Sequence, residues 1–168
     1  MIILGLDPAI RTTGYGVIKM LPGCRAEIID CGVIRNTRQM PHSECLRRLA
    51  GGVRELIKTF APDCASLESP FVGDNANTAI ILGMARGAIL TALAENAIPA
   101  YAYAPNVAKR AVTGASTARK EQVALMMANE FGIAVSDIPN DATDALALAI
   151  CHGQKALFSS IDLAGKPL

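Results

Sequence analysis

The chain has 168 residues, 16 Lys and Arg against 15 Asp and Glu for a net charge of +1, and 51% apolar residues. Its mean hydropathy is +0.32. That length fits one domain, residues 1–168, with enough apolar side chain for a real core. The balance of charge excludes a protein held to nucleic acid by a large basic excess alone.

Residues 1–7 (MIILGLD) are almost continuously apolar, as in a central strand covered on both faces. Leu4 and Leu6 face one side of it and Gly5 and Asp7 the other, and Pro8 ends it. Residues 13–20 and 26–35 read as two further strands joined by a turn at Pro22-Gly23, which makes an antiparallel meander. Leu46, Leu49, Val53, Leu56 and Phe60 then recur at helical spacing over 43–60, with Ser43 as the expected N-cap and Pro62 as the stop. A fourth strand is predicted over 64–68 and a long apolar helix over 76–96. A fifth strand over 98–103 and a short helix follow. A helix over 118–131 is next, which Ser116 and Thr117 are expected to cap. After Pro139-Asn140 comes a last helix over 141–153. Three strands followed by alternating helix and strand imply an α/β fold: a mixed five-stranded sheet flanked by helices on both faces.

Several function classes are set aside at this stage. The most apolar stretch, AIILGMARGAILTALA, is interrupted by Arg86 and two glycines and falls short of the ~18 residues a membrane helix needs. The first residues read as a strand rather than a secretion leader. The five cysteines are odd in number and form no CxxC pair, which suits reduced thiols in a cytoplasmic protein. His42 and His152 have no zinc-ligand spacing. The glycines of TTGYGV lack the Gly-Lys-Ser/Thr ending of a phosphate loop, so Gly14 and Gly16 read as places where backbones approach closely.

Four acids carry the chemistry. Asp7 closes the first strand, Glu68 closes the fourth, and Asp141 and Asp144 open the last helix. Each ends an element that should be buried, where an ionised group is costly without a partner. Strands one and four are expected to be parallel neighbours, so Asp7 and Glu68 should meet at their C-terminal ends. Asp141 and Asp144, three residues apart, share one side of a helix. Four carboxylates at close range need cations, and hard oxygen donors suit Mg²⁺, with Mn²⁺ accepted as well. A pair of such ions is the usual machinery for phosphodiester hydrolysis. Setting those four acids aside leaves a modest basic excess elsewhere. Taken one at a time the acids have plainer explanations: Asp7 before Pro8 as a turn starter, Asp141 as a helix N-terminal acid.

The pieces LGLDPAIRTTGYGVI, LESPFVGDNANTAIILGMARG, VAKRAVTGASTARKEQV and DATDALALAI, in this order and spacing, resemble the RuvC-type Holliday junction resolvases of the ribonuclease H-like superfamily. The resemblance covers essentially the whole chain. It implies a crossover junction endodeoxyribonuclease in which Asp7, Glu68, Asp141 and Asp144 hold two Mg²⁺ ions. The products would carry 5′-phosphate and 3′-hydroxyl ends. It also implies a homodimer cutting a four-way junction symmetrically, with a branch-migration helicase as a further partner. Lys109 and Lys120 match basic residues used at the cut strand, and Phe71 an aromatic placed against an unstacked base. On residue type alone the lysines equally suit a solvated face and Phe71 a core position. Where that family usually reads Asp-Pro-Gly, this chain has Asp7-Pro8-Ala9, and it is less basic overall. A nuclease of the same fold acting on other branched DNA or on RNA, and a non-catalytic module binding branched DNA, are the other readings. The long helix is apolar around much of its girth, including Ile80, Met84 and Leu90, and its outer side is the expected dimer surface. Arg47, Arg48, Arg54 and Lys58 on the preceding helix are mixed with Glu44 and Glu55, as on a solvated face.

Overall fold

The computed structural model describes residues 1–23, 25–70, 75–157 and 166–168. Five strands form one sheet: β1 (Ile2–Asp7), β2 (Thr12–Met20), β3 (Ala26–Arg35), β4 (Cys64–Glu68) and β5 (Ala100–Tyr103). Their spatial order is β3-β2-β1-β4-β5. The first three are antiparallel, and β1–β4 and β4–β5 are parallel. β1 is therefore central, which explains its continuous apolar run. The helices are α1 (His42–Phe60), α2 (Ala76–Glu95), α3 (Pro105–Thr113), α4 (Lys120–Phe131) and α5 (Asn140–Leu157).

The two faces of the sheet are covered differently. Leu4, Leu6, Val17, Ala65 and Leu67 point to one face, where Leu49 and Val53 of α1 and Ile89 and Leu93 of α2 bury them. The alternate residues of β1 and β2, Gly5, Gly14 and Gly16, face α5. A Cβ on Gly5 would lie 1.9 Å from the Ala145 carbonyl oxygen, and one on Gly14 would lie 1.7 Å from that of Asp141. α5 thus rests almost directly on the sheet backbone, with Ala142, Ala145 and Ala149 wholly buried beneath it. The expectation of close backbone approach at Gly14 and Gly16 holds, and α5 is what approaches.

Several boundaries and caps differ from expectation. Helix α1 is entered from Pro41, with Ser43 inside its first turn. Proline's fixed φ suits that entry without a side-chain cap. Helix α4 begins after Arg119 rather than being capped by Ser116 or Thr117, and Gln122 Oε1 accepts the Arg119 amide at 2.8 Å. β5 starts only at Ala100, because Ile98 N–H donates to the Leu93 carbonyl at the end of α2 and Pro99 has no donor for a ladder. Ala9 raises no backbone difficulty: among the described residues the only non-glycine positions with positive φ are Ala61 and Ala97. Its amide and carbonyl are both held by the Thr13 hydroxyl, at 3.2 and 2.6 Å.

Helix α2 also corrects the sequence reading. At 20 residues it is long and apolar enough, by length and composition, to cross a membrane. The helix extends past both ends of the apolar stretch that seemed too short. One side of it, through Ala85, Ile89, Ala92 and Leu93, packs into the core, and Ile80 and Met84 are exposed. Cys45, Cys64 and Cys151 are buried free thiols and Cys31 is half-buried.

Candidate active site

The parallel pairing of β1 with β4 brings their C-terminal ends side by side, in a register that runs from Ile3–Cys64 to Leu6–Leu67. Asp7 and Glu68, the next residue on each strand, point to the α5 face, and their carboxyl groups share a hydrogen bond. Asp144 reaches the same place from the first turns of α5, whose height over the sheet is set by the glycines beneath it.

The electrostatics of this group are those of crowded acids. Burial first, then the charges of Glu68 and Asp144, push the Asp7 carboxyl up to about 7, with Lys120 pulling the other way. Glu68 is raised too, mainly by burial and then by Asp144, and it is held back by the Asp7 hydrogen bond, Lys109 and Arg86. Below about pH 7 the shared proton is therefore held on the Asp7 side of the pair and donated to Glu68. Lys120 Nζ lies 3.0 Å from Asp144 Oδ2. Glu68 stands on the wall between two clefts of about 110 Å³ each. One is lined by Asp7, Pro8, Ser69 and Arg86, the other by Pro105, Lys109 and Asp144.

The structure thus brings together Asp7, Glu68, Asp144, Lys109 and Lys120. Asp141 stands three residues before Asp144, in the first turn of α5. Three residues of helix rotate a side chain by ~300°, leaving it about 60° round the axis from Asp144. Its main-chain carbonyl sits over Gly14, the residue paired with Asp7 across β1 and β2. Phe71 lies outside the described residues. His152, two turns beyond Asp144, is buried between Tyr101 and Tyr103 and is not part of the site.

Arg86 was missed as a site residue. It is half-buried on α2, donates through Nη1 to the Glu68 main-chain carbonyl and lines the cleft with Asp7. The available signal was a single cation in a helix otherwise uncharged until Glu95.

Among the described residues, no three His, Cys, Asp or Glu side chains stand close enough to chelate one ion as they are placed. The donor set nevertheless fits a hard divalent cation. It is all carboxylate oxygen, and burial together with the charges of Glu68 and Asp144 pushes the Asp7 carboxyl up to about 7. Binding such a cation requires the Asp7 proton to leave and Lys120 to release Asp144.

Residues 3–152 match the family model for the crossover junction endodeoxyribonuclease RuvC. The chain is 43% identical over 151 residues to the RuvC crossover junction endodeoxyribonuclease of Chlorobaculum parvum, covering 90% of this chain and 80% of that one. It is 42% identical over 153 residues to that of Chloroflexus aurantiacus, covering 91% and 93%. Its structure matches Thermus thermophilus RuvC in complex with a Holliday junction substrate at a TM-score of 0.88 and 33% identity, over 100% of this chain and 99% of that one. Family match, relatives and fold agree along nearly the whole length: this chain belongs to the RuvC family of crossover junction endodeoxyribonucleases.

Proposed function

We propose that the protein is a metal-dependent endonuclease that resolves four-way Holliday junctions by paired, symmetric nicks, leaving 5′-phosphate and 3′-hydroxyl ends. The observation that carries this is the coupled carboxyl group of Asp7, Glu68 and Asp144 at the meeting of β1, β4 and α5, flanked by Lys109 and Lys120. Asp7, Glu68 and Asp144, joined by Asp141 from the same helix turn, would hold two Mg²⁺ ions, or Mn²⁺ in their place. Bound there, such ions supply Lewis-acid activation of the scissile phosphate and of the hydrolytic water, and they offset charge on the leaving 3′-oxygen.

The remaining work falls to this chain's own side chains. Asp7 gives up its proton as the cluster is neutralised, and Glu68 then ceases to be a hydrogen-bond acceptor for it. Lys120, once off Asp144, is free to meet a phosphate oxygen, and Lys109 lines the cleft on the α5 side for the same purpose. Both act as point charges, so they orient the backbone of the DNA without reading its sequence. Phe71, following β4, is proposed to pack against an unstacked base at the crossover.

Symmetric cutting calls for two copies, and the exposed side of α2 with Ile80 and Met84 is the proposed dimer surface. A cytoplasmic location and a branch-migration helicase as partner complete the proposal.

The test is cleavage of a synthetic four-way junction with each strand labelled in turn, with Mg²⁺ and with chelator, beside a linear duplex of matching sequence. Paired nicks at symmetric positions on the junction alone, only with the metal, are expected. Equal cutting of duplex, flap or RNA–DNA hybrid would point instead to another nuclease of this fold. Tight junction binding without nicks under Mg²⁺ or Mn²⁺ would leave a binding module.

A further inference from the structure

The end of β4 contains a ladder position with no ladder donor. In a parallel pair, a main-chain carbonyl of one strand accepts from an amide of its neighbour. Ala65 and Ser69 N–H groups donate to the carbonyls of Pro99 and Tyr103, each at 2.8 Å, so these odd-numbered residues of β4 turn their main chain towards β5. Glu68 therefore turns its own main chain towards β1. Continuing the β1–β4 register past Leu6 and Leu67, the donor due to the Glu68 carbonyl is the amide of residue 8. Residue 8 is proline, which has no N–H. Arg86 Nη1 donates to that carbonyl in its place, reaching across from α2. The neighbours of Arg86 on the helix, Ala85 and Ile89, are wholly buried, so the base of the side chain is held by the core.

We infer that Arg86 is the positioning residue for Glu68: its guanidinium fills the ladder place that Pro8 leaves open and fixes the end of β4 where the Glu68 and Asp7 carboxyl groups meet. Proline at position 8 stops β1 immediately after Asp7, which frees that carboxylate at the strand end. The cost is an orphan carbonyl next door, and an unpaired buried carbonyl is unfavourable. A charged donor is a strong replacement, and it brings a positive charge to the back of the acid cluster, where it also favours the ionised Glu68. The inference rests on the reading of Asp7, Glu68 and Asp144 as the metal-holding set. The rival role for Arg86, a direct grip on a DNA phosphate, makes different predictions.

The experiment compares the unaltered protein with Arg86→Ala, Arg86→Lys, Pro8→Ala and the double variant Pro8→Ala/Arg86→Ala. Three quantities are read on cooperatively melting protein. They are Mn²⁺ binding without DNA, by the resonance of free Mn²⁺, junction affinity in chelator, and the single-turnover cleavage rate. Losing an outer support of a metal ligand typically costs ~10–100-fold, so Arg86→Ala is expected to weaken Mn²⁺ binding and slow cleavage by that order while changing junction affinity less than about three-fold. The double variant carries an amide at residue 8 and is expected to recover most of the Mn²⁺ loss relative to Arg86→Ala, with Pro8→Ala as its reference. Arg86→Lys, which keeps a charged donor, is expected to fall between. Undiminished Mn²⁺ binding in Arg86→Ala would overturn the inference. So would a loss confined to junction affinity and not restored by the amide. Should the unaltered protein neither bind Mn²⁺ nor cut, the metal-nuclease reading fails and takes this inference with it. An unaltered protein that does both, with an Arg86→Ala variant that does both equally well, sinks the inference alone.

Discussion

The two faces of the sheet use opposite packing to opposite ends. On the α1–α2 face, large aliphatic side chains stand between backbone and helix: Leu4, Leu6 and Val17 meet Leu49, Val53 and Ile89. On the α5 face Gly5 and Gly14 remove that layer beside the acids, where helix backbone lies on strand backbone, while Ile3 and Ile18 pack farther along the same strands. A layer of side chains adapts to change by repacking, whereas a backbone-on-backbone contact has little room to give. The acids sit on the face with the less adaptable contact. Both faces hold a buried apolar core, so the difference teaches that site geometry is tied to one side of the sheet while stability is shared by both, and that claim can be broken.

The sharpest pair of outcomes belongs to Asp7. Asp7→Asn is expected to abolish metal-dependent cleavage, by ~10³-fold or more, since it removes a charge at the centre of the site. The same change should stabilise the metal-free protein. The Asp7 carboxyl is raised from 3.8 to about 7 in the fold, chiefly by burial and then by Glu68 and Asp144. An acid whose folded value is raised costs stability as pH climbs through that interval, because the unfolded chain loses the proton first. With solvent screening allowed for, the gain above about pH 7 is of the order of 2 kcal/mol, shrinking towards zero near pH 4. Melting curves in chelator across that range check it. A variant less stable than the parent at alkaline pH would show that Asp7 is favourably partnered without metal.

Next in size is a matched contrast between faces. Gly14→Ala would drive a Cβ to within 1.7 Å of the Asp141 carbonyl oxygen, so α5 must lift. About 2–3 kcal/mol of stability should be lost together with at least ~10-fold in single-turnover cleavage. Leu49→Ala, wholly buried on the other face, should cost a similar ~3 kcal/mol but leave the cleavage rate of the folded protein within about three-fold. Equal damage to cleavage from both would erase the division of labour drawn above.

How far this was legible in the sequence follows from the same contrast. The meander, the helix–strand alternation and the side to which Leu4, Gly5, Leu6 and Asp7 point all follow from periods of 2 and 3.6 residues, which are local properties. The meeting of Asp7 with Glu68 follows from adjacent parallel strands, and so it too was within reach. The reach of Asp144 to the ends of β1 and β4 depends on how closely α5 sits over Gly5 and Gly14, a tertiary contact with no local signature. Lys109 and Lys120 could be singled out only through family resemblance, because basic residues on helices look alike until something packs beside them. Arg86 was legible only as an interruption in an apolar helix. Its use depends on a carbonyl 18 residues away whose own donor is missing.

A smaller effect separates the two faces by pH. Buried on the α5 side, His152 has its pKa lowered from 6.5 to about 4, first by burial and then by Lys155. The ring shares a hydrogen bond between Nδ1 and the Tyr103 hydroxyl, 2.7 Å away, and stacks on Tyr101 at 4.3 Å between centroids. A histidine with a lowered folded value contributes stability that is complete above about pH 6.5 and is lost as pH falls towards 4. The loss should reach about 1–2 kcal/mol after screening. Asp7 titrates over part of the same range with the opposite sign, so the measurement belongs in the Asp7→Asn background. There, stability should fall on acidification, and His152→Phe should flatten the curve. An unchanged slope in that double variant would mean that other groups set the acid limit.

The smallest expected effect lies on the face away from the site, and its smallness is informative. Arg54 of α1 meets Glu95 at the end of α2 with Nη2 2.8 Å from Oε2, linking the two helices that cover the aliphatic face. Both side chains are close to half exposed, so water and salt screen the attraction and ordering two long side chains offsets much of it. A double-mutant cycle with Arg54→Ala and Glu95→Ala is expected to give a coupling of about 0.5 kcal/mol, fading further in high salt, with cleavage untouched. A coupling well above 1 kcal/mol would show that the α1–α2 layer relies on this clasp rather than on Leu49, Val53, Ile89 and Leu93 beneath it. A change in cleavage would be more damaging: it would mean that strain introduced between α1 and α2 reaches Arg86 and, through it, the end of β4, so that the two faces are not independent after all.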